Sequence, residues 1–147
     1  MPIESATTCG TNKQTLRRAM DGITALDADA VGRELHDSAV FELPFEPAVP
    51  DCSRDGFLQL LSMMFVMFRK FEIRITDIYD LVDPNMLVAR YQSDAEGRDK
   101  SVIYQNEYIG IFHFVDGKIT FWREYNNPEV AHAAVAQFAD DAPAVSA

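Results

Sequence analysis

Apolar positions recur every three or four residues in the first half of the chain and every two residues after Phe71. The helical spacing is clearest over residues 12–26, where Leu16, Ala19, Met20, Ile23 and Leu26 fall on one side. It starts again in DADAVGRELH, with Asp27 or Asp29 as the cap, Val31 and Leu35 inward, and His36-Asp37 at the helix end. AVFELPF then predicts a short strand that Pro44 terminates, followed by a proline-rich loop over residues 46–53. Ser53 is placed to cap a further helix, SRDGFLQLLSMMFVMFRKF. That helix is apolar almost all round from Phe57 to Phe68, so more than one of its faces should be covered.

Beyond Phe71 the period of two predicts four strands: EIRITDIYDLV, NMLVARYQSD, SVIYQNEYIGIFHFV and KITFWREY. Asp83-Pro84-Asn85, Glu96-Gly97 and Asp116-Gly117 mark the turns between them. NPEVAHAAVAQFAD reads as a closing helix. Residues 1–11 are polar and uncapped and read as a flexible N-terminus, and residues 140–147 as a flexible tail, which leaves one domain over 12–139. Helices first and an antiparallel meander afterwards indicate an α+β fold, with helices packed on one face of a curved sheet.

The last hairpin fixes which side chains face the core. A two-residue turn at Asp116-Gly117 sets Val115 against Lys118 and Glu124 opposite Ile109; a three-residue loop sets Phe114 against Lys118 and Glu124 opposite Tyr108. The first register makes Glu107 and Glu124 diagonal neighbours, whereas the second pairs Glu107 diagonally with Arg123. Cross-strand pairs are worth about 0.2–1 kcal/mol, which favours the second register. One face then carries Asn106, Tyr108, Gly110, Phe112, Phe114, Thr120, Trp122, Glu124 and Asn126. The other carries Ile109, Ile111, His113, Ile119, Phe121 and Tyr125. Both are too apolar for water, so the outer face needs another cover, and a partner subunit is the simplest.

Charge and composition remove several functional classes. The formal net charge of −10, with no basic cluster longer than Arg17-Arg18 or Arg69-Lys70, argues against nucleic acid and anionic membranes as partners. No run approaches the roughly 20 apolar residues of a membrane span, and no signal-like segment opens the sequence, so a soluble, cytoplasmic protein is expected. Cys9 and Cys52 allow one bridge but no disulfide framework. His36, His113 and His132 are widely separated and no Cys/His spacing suits zinc, so neither metal nor cofactor is expected.

The stretch YQNEYIGIFHFVDGKITFWREYNNP, together with ALDADAVGRELHDSAVFELPF, resembles the nuclear transport factor 2-like superfamily. Within it the chain is similar to the SnoaL-like and ketosteroid isomerase-like group, and its pattern is nearest to the phenazine-biosynthesis PhzA/PhzB proteins. The resemblance implies a cone of strongly curved, mixed or antiparallel sheet (a cystatin-like roll), closed by N-terminal helices around an apolar pocket. It also implies a homodimer through the outer sheet face. The catalytic positions of true ketosteroid isomerases fall on Leu43, Gly110 and Ala19 here, which argues against that activity. The Arg and Asp of limonene-epoxide hydrolases fall near Tyr91 and Ser93, with Arg90 and Asp94 nearby at the wrong spacing. Glu124 matches both the catalytic aspartate of those hydrolases and the acid/base glutamate of the PhzA/PhzB pattern.

A glutamate in an apolar pocket is pushed toward neutrality, and such a carboxyl exchanges protons near pH 7. Glu124 is therefore the candidate catalytic residue, unless it sits at the pocket rim bonded to Asn126 or the following helix. Candidate ligand contacts are Asn106, Tyr108, Phe112, Trp122 and Asn126 on the sheet and Phe57, Leu61, Met64 and Phe68 on the preceding helix. For Trp122, Tyr108 and the Met63/Met64/Met67 cluster, a core role is the simpler alternative. His113 reads as an interface residue, His36-Asp37 as structural, Arg90 with Asp94 as a solvated pair, and Tyr91 and Tyr104 as able to face either way. The expected function is cofactor-free acid/base catalysis on a small cyclic or polyketide-like carbonyl compound. The rivals are a carrier of a small apolar molecule and a dimerisation module with a filled cavity.

Overall fold

The computed structural model describes residues 3–99 and 101–141, so most of the expected tail lies outside the described residues. Helix α1 (Ile3–Thr24) and helix α2 (Ala28–Gly32) precede strands β1 (Leu35–Glu42) and β2 (Cys52–Ser53). Helix α3 (Arg54–Met67) leads into β3 (Phe68–Asp80), β4 (Met86–Gly97), β5 (Ile103–Val115) and β6 (Lys118–Asn126), and α4 (Pro128–Asp141) closes the described chain. The strands form one curved, open sheet in the order β2-β1-β6-β5-β4-β3. The β3–β6 meander is antiparallel as expected, and β1 adds to β6 in parallel, which makes the sheet mixed. This is an α+β fold, and no described helix is long and apolar enough to cross a membrane.

Local signals account for several boundaries. Asp27 caps α2 by accepting the Ala30 N–H at 3.0 Å, and Ser53 caps α3 by accepting the Gly56 N–H at 3.2 Å. Other boundaries needed tertiary contacts. Helix α1 begins at Ile3, where residues 1–11 were expected to be loose. Its middle turns are held by side chains that a hydrophobic pattern overlooks. Buried Asn12 donates to the Pro84 carbonyl (3.1 Å) and to Asn85 Oδ1 (3.2 Å), and Thr15 donates to the Gly117 carbonyl at 2.7 Å.

Strand β1 starts at Leu35, so His36-Asp37 lies in the register irregularity between Leu35 and Val40 rather than at a helix end. Strand β3 starts at Phe68, and the bulge between Phe68 and Lys70 lets Phe68 and Phe71 both point inward. Helix α3 buries the single stripe Phe57, Leu61 and Phe65; Met63 and Val66 remain 68% and 67% exposed. The expectation that several of its faces are covered does not hold within one chain.

Neither hairpin register extends along the whole β5–β6 pair. Asp116 (φ 51°) and Gly117 (φ 73°) form the two-residue turn, with Val115 opposite Lys118. A bulge then shifts the pairing between His113 and Phe114, so that Glu124 faces Gly110 rather than Tyr108. Gly110 and Tyr108 lie two apart, so Glu124 keeps the inward side. Ile119, on the turn side of the bulge, is fully buried instead of facing outward. Phe41 stacks on Phe57 with centroids 4.0 Å apart, and Trp122 packs against Phe57 and Phe112 at 5.1 Å each. These rings form the core beneath α3; burying each contributes about 1.5–3 kcal/mol.

Candidate functional site

Alternation along β6 sends Trp122, Glu124 and Asn126 inward, while Arg123 bonds Glu42 at 2.7 Å and Tyr125 at 3.2 Å on the other side. Between the sheet and α3 lies a cavity of about 150 Å³. Its wall is apolar, contributed by Ile23, Phe41, Phe57, Leu61 and Phe71, and Glu124 is the one carboxylate in it. Half-buried Leu43, Leu60, Met64 and Ile73 complete its outer part.

Glu124 is held by a tyrosine from the neighbouring strand pair. The Tyr91 hydroxyl donates to Glu124 Oε1 and accepts the Trp122 indole N–H at 3.2 Å. Gly110 makes room for this contact. A Cβ there would lie 2.6 Å from the Phe112 ring and 2.9 Å from the Tyr91 hydroxyl. Burial raises the Glu124 carboxyl from 4.5 to about 7, against the opposing pull of the hydrogen bonds from Tyr91 and Trp122. Burial likewise pushes Tyr91 well above the usual phenol range, with the Glu124 charge adding to it, so Tyr91 remains a donor.

Of the residues expected to contact a ligand, Tyr108, Trp122, Asn126, Phe57, Leu61 and Met64 line the cavity with Glu124. Three do not. Phe112 is sealed in the core, Phe68 packs against Phe71 and Phe138, and the Asn106 side chain is committed to Tyr104 and the Asn127 backbone. Asn106 therefore cannot orient a substrate directly. Tyr91 and Tyr104 both line the cavity, and sequence reasoning left them unassigned. The signal for Tyr91 was the alternation Leu87-Ala89-Tyr91-Ser93-Ala95, every member of which is buried.

Arg90 and Asp94 face outward and do not pair with each other. Arg90 approaches Asp77 at 3.4 Å and Asp94 pairs with Lys70 at 2.9 Å. Cys9 and Cys52 are both free thiols. Among the described residues no three His, Cys, Asp or Glu side chains are grouped to hold a metal ion.

Residues 16–122 match the SnoaL-like domain. The chain belongs to that family. Similar proteins cover most of its length. Uncharacterized protein YesE of Bacillus subtilis (strain 168) is 26% identical over 132 residues, covering 82% of this chain and 84% of that protein. A solved structure from Bacillus subtilis, named as a candidate isomerase, superposes with a TM-score of 0.78 at 24% identity, covering 88% and 96% of the two chains. The phenazine biosynthesis-related protein phzb2 of Pseudomonas aeruginosa superposes with a TM-score of 0.73 at 15% identity, covering 98% and 95%. At these identities the two structures establish the shared fold.

Proposed function

We propose that this SnoaL-like protein is a cofactor-independent acid/base enzyme acting on a small cyclic carbonyl compound, by isomerisation, cyclisation, condensation or hydration. The observation that carries this reading is a lone carboxylate, Glu124, raised to about 7 in the wall of an apolar cavity. A carboxyl near pH 7 is partly ionised and still basic, which is the compromise general acid–base catalysis requires; such a group contributes about 10²–10⁴-fold in rate. A cavity of about 150 Å³ accommodates a single ring, since a benzene-sized guest fills a cavity of this order. The names of the solved relatives, a candidate isomerase and a phenazine biosynthesis-related protein, support chemistry of this class. The free thiols suit a reducing compartment and support a cytoplasmic location.

The test is exchange of the protons next to the carbonyl in cyclohexanone and 2-cyclohexenone, followed by NMR in deuterated buffer. The protein is expected to accelerate exchange for at least one of them. Glu124→Gln should bind the same ketone with unchanged affinity and exchange about 100-fold more slowly or worse. A wild-type protein that binds both ketones and accelerates neither between pH 6 and 9 is a carrier, and the enzymatic reading fails.

A further inference from the structure

Three hydroxyls run from the sheet interior to the cavity. Ser93 Oγ lies 2.9 Å from Tyr108 Oη, and Tyr108 Oη lies 2.9 Å from Tyr104 Oη. Asn106 anchors both ends. Its side-chain oxygen accepts the backbone N–H of Glu107 (2.8 Å) and of Asn127 (3.1 Å), which fixes the amide orientation. The amide nitrogen must then donate, to Tyr104 Oη at 2.8 Å and to the Asn127 carbonyl at 3.1 Å. The Asn106 backbone N–H donates to Ser93 Oγ at 3.2 Å.

Proton counting on this chain gives a definite result. Three hydroxyls carry three hydrogens, and only two hydroxyl–hydroxyl contacts exist to receive them. One hydrogen is left over, and among the described residues no other acceptor takes it. Ser93 is 4% exposed and Tyr108 is held between two oxygens, whereas Tyr104 is half-buried and lines the cavity. An unmet donor is least unfavourable where a guest or solvent can meet it. The hydrogens therefore run from Ser93 to Tyr108 and from Tyr108 to Tyr104, leaving the Tyr104 O–H for the cavity.

We propose that Tyr104 is the donor that receives the substrate's oxygen, so that the site selects a cyclic ketone with its oxygen at Tyr104 and the adjacent C–H at Glu124. The second half of this statement rests on the function proposed for Glu124; the donor role of Tyr104 does not. In the step implied, the Glu124 carboxylate takes the proton from the carbon next to the carbonyl. The C–H electron pair becomes the new C=C bond, and the C=O π pair moves onto oxygen, where the Tyr104 O–H meets the developing charge. Return of the proton from Glu124, to the same carbon or a conjugated one, restores the carbonyl with no net oxidation or reduction. Burial raises Tyr104 above the usual phenol range, so it keeps its proton, while the hydrogen bonds it accepts from Tyr108 and Asn106 pull the other way and polarise the O–H.

The experiment compares cyclohexanone with methylenecyclohexane, which has the same shape and no oxygen acceptor, by NMR titration. Tyr104→Phe should weaken cyclohexanone about fivefold to tenfold, the worth of one neutral hydrogen bond, and leave methylenecyclohexane unchanged. Glu124→Gln should keep the wild-type preference for the ketone. Equal effects of Tyr104→Phe on both probes, or none on either, overturn the proposal.

The wild-type protein provides a check that does not depend on the variant folding. At pH 9, with Glu124 ionised and unable to donate, the infrared carbonyl stretch of bound cyclohexanone should lie below its value in hexane; a stretch at the hexane value overturns the proposal. Lost ketone exchange in the wild type together with a retained Tyr104-dependent preference would remove the enzymatic reading alone. Retained exchange without that preference would remove the Tyr104 assignment alone.

Discussion

Replacing Glu124 by Gln should change how stability depends on pH more than it changes stability at any one pH. The carboxyl has an ordinary value of 4.5 and stands at about 7 in the folded chain. Between those values the folded state holds more protons than the unfolded state, so its stability falls as pH rises. The contribution is fully present below about pH 4.5 and is lost as pH passes through about 7. At about 1.36 kcal/mol per pH unit, the gap corresponds to about 3 kcal/mol, of which roughly 2.5 kcal/mol develops between pH 5 and 8. Gln keeps the acceptor for the Tyr91 hydroxyl and cannot ionise, and every other titrating group is shared by the two proteins.

The assay is urea unfolding of both proteins at pH 5, 6, 7 and 8, followed by the fluorescence of Trp122, the sole tryptophan and a buried neighbour of the site. The difference in unfolding free energy, variant minus wild type, should grow by roughly 2.5 kcal/mol in favour of the variant from pH 5 to 8. In thermal unfolding this amounts to roughly 5–10 °C for a domain of this size. Parallel pH dependence in the two proteins would refute the reasoning, because it would mean that Glu124 ionises with its ordinary value and meets solvent in the folded state. A titration midpoint below about 5.5 for the Glu124 carboxyl carbon in NMR would refute it independently.

Two further outcomes follow from the packing. Gly110→Ala should destabilise the protein by about 1–3 kcal/mol in urea unfolding, because the new methyl meets the Phe112 ring and the Tyr91 hydroxyl. Displacing that hydroxyl should also move the Glu124 midpoint upward, since the Tyr91 hydrogen bond holds it down. We also propose that the outer sheet face pairs with a second copy, because Ile109 is 46% exposed and Ile111, His113, Phe121 and Tyr125 beside it are only half-buried. Sedimentation at micromolar concentration should give twice the 16.5 kDa chain mass, and Ile109→Lys should return it to the single chain; a wild-type protein sedimenting as one chain would dispose of the pairing.

The early disagreements between expectation and structure share a physical origin. Phe68 and Ile119 each sit at a bulge, where one inserted residue reverses which side chains face inward, and His36 sits in a longer irregularity where β1 advances five residues against two on β6. Periodicity assumes an unbroken register, so it fails at these points and holds between them. The Glu124 side was read correctly although its partner was not, because the true and expected partners differ by two residues. Gly110 illustrates a different gap. As a sequence feature it marks a missing carboxylate, but in three dimensions it is the space that the Tyr91–Glu124 contact occupies.

By itself the sequence determined the order of the main helices and strands, a cap for α2 at Asp27 or Asp29, the cap at Ser53 and the place of the Asp116-Gly117 turn. All of these are set within a few residues by spacing, capping chemistry and turn preference. Tertiary structure alone decided that α1 begins at Ile3, that β1 runs parallel to β6, and that Phe68, Phe112 and Asn106 are structural rather than cavity residues. It also decided that the hydroxyls of Ser93, Tyr108 and Tyr104 form one chain ending at the cavity. Those outcomes depend on hydrogen-bond partners and packing neighbours far apart in the chain, and local sequence periodicity does not encode distances between segments that meet only after folding.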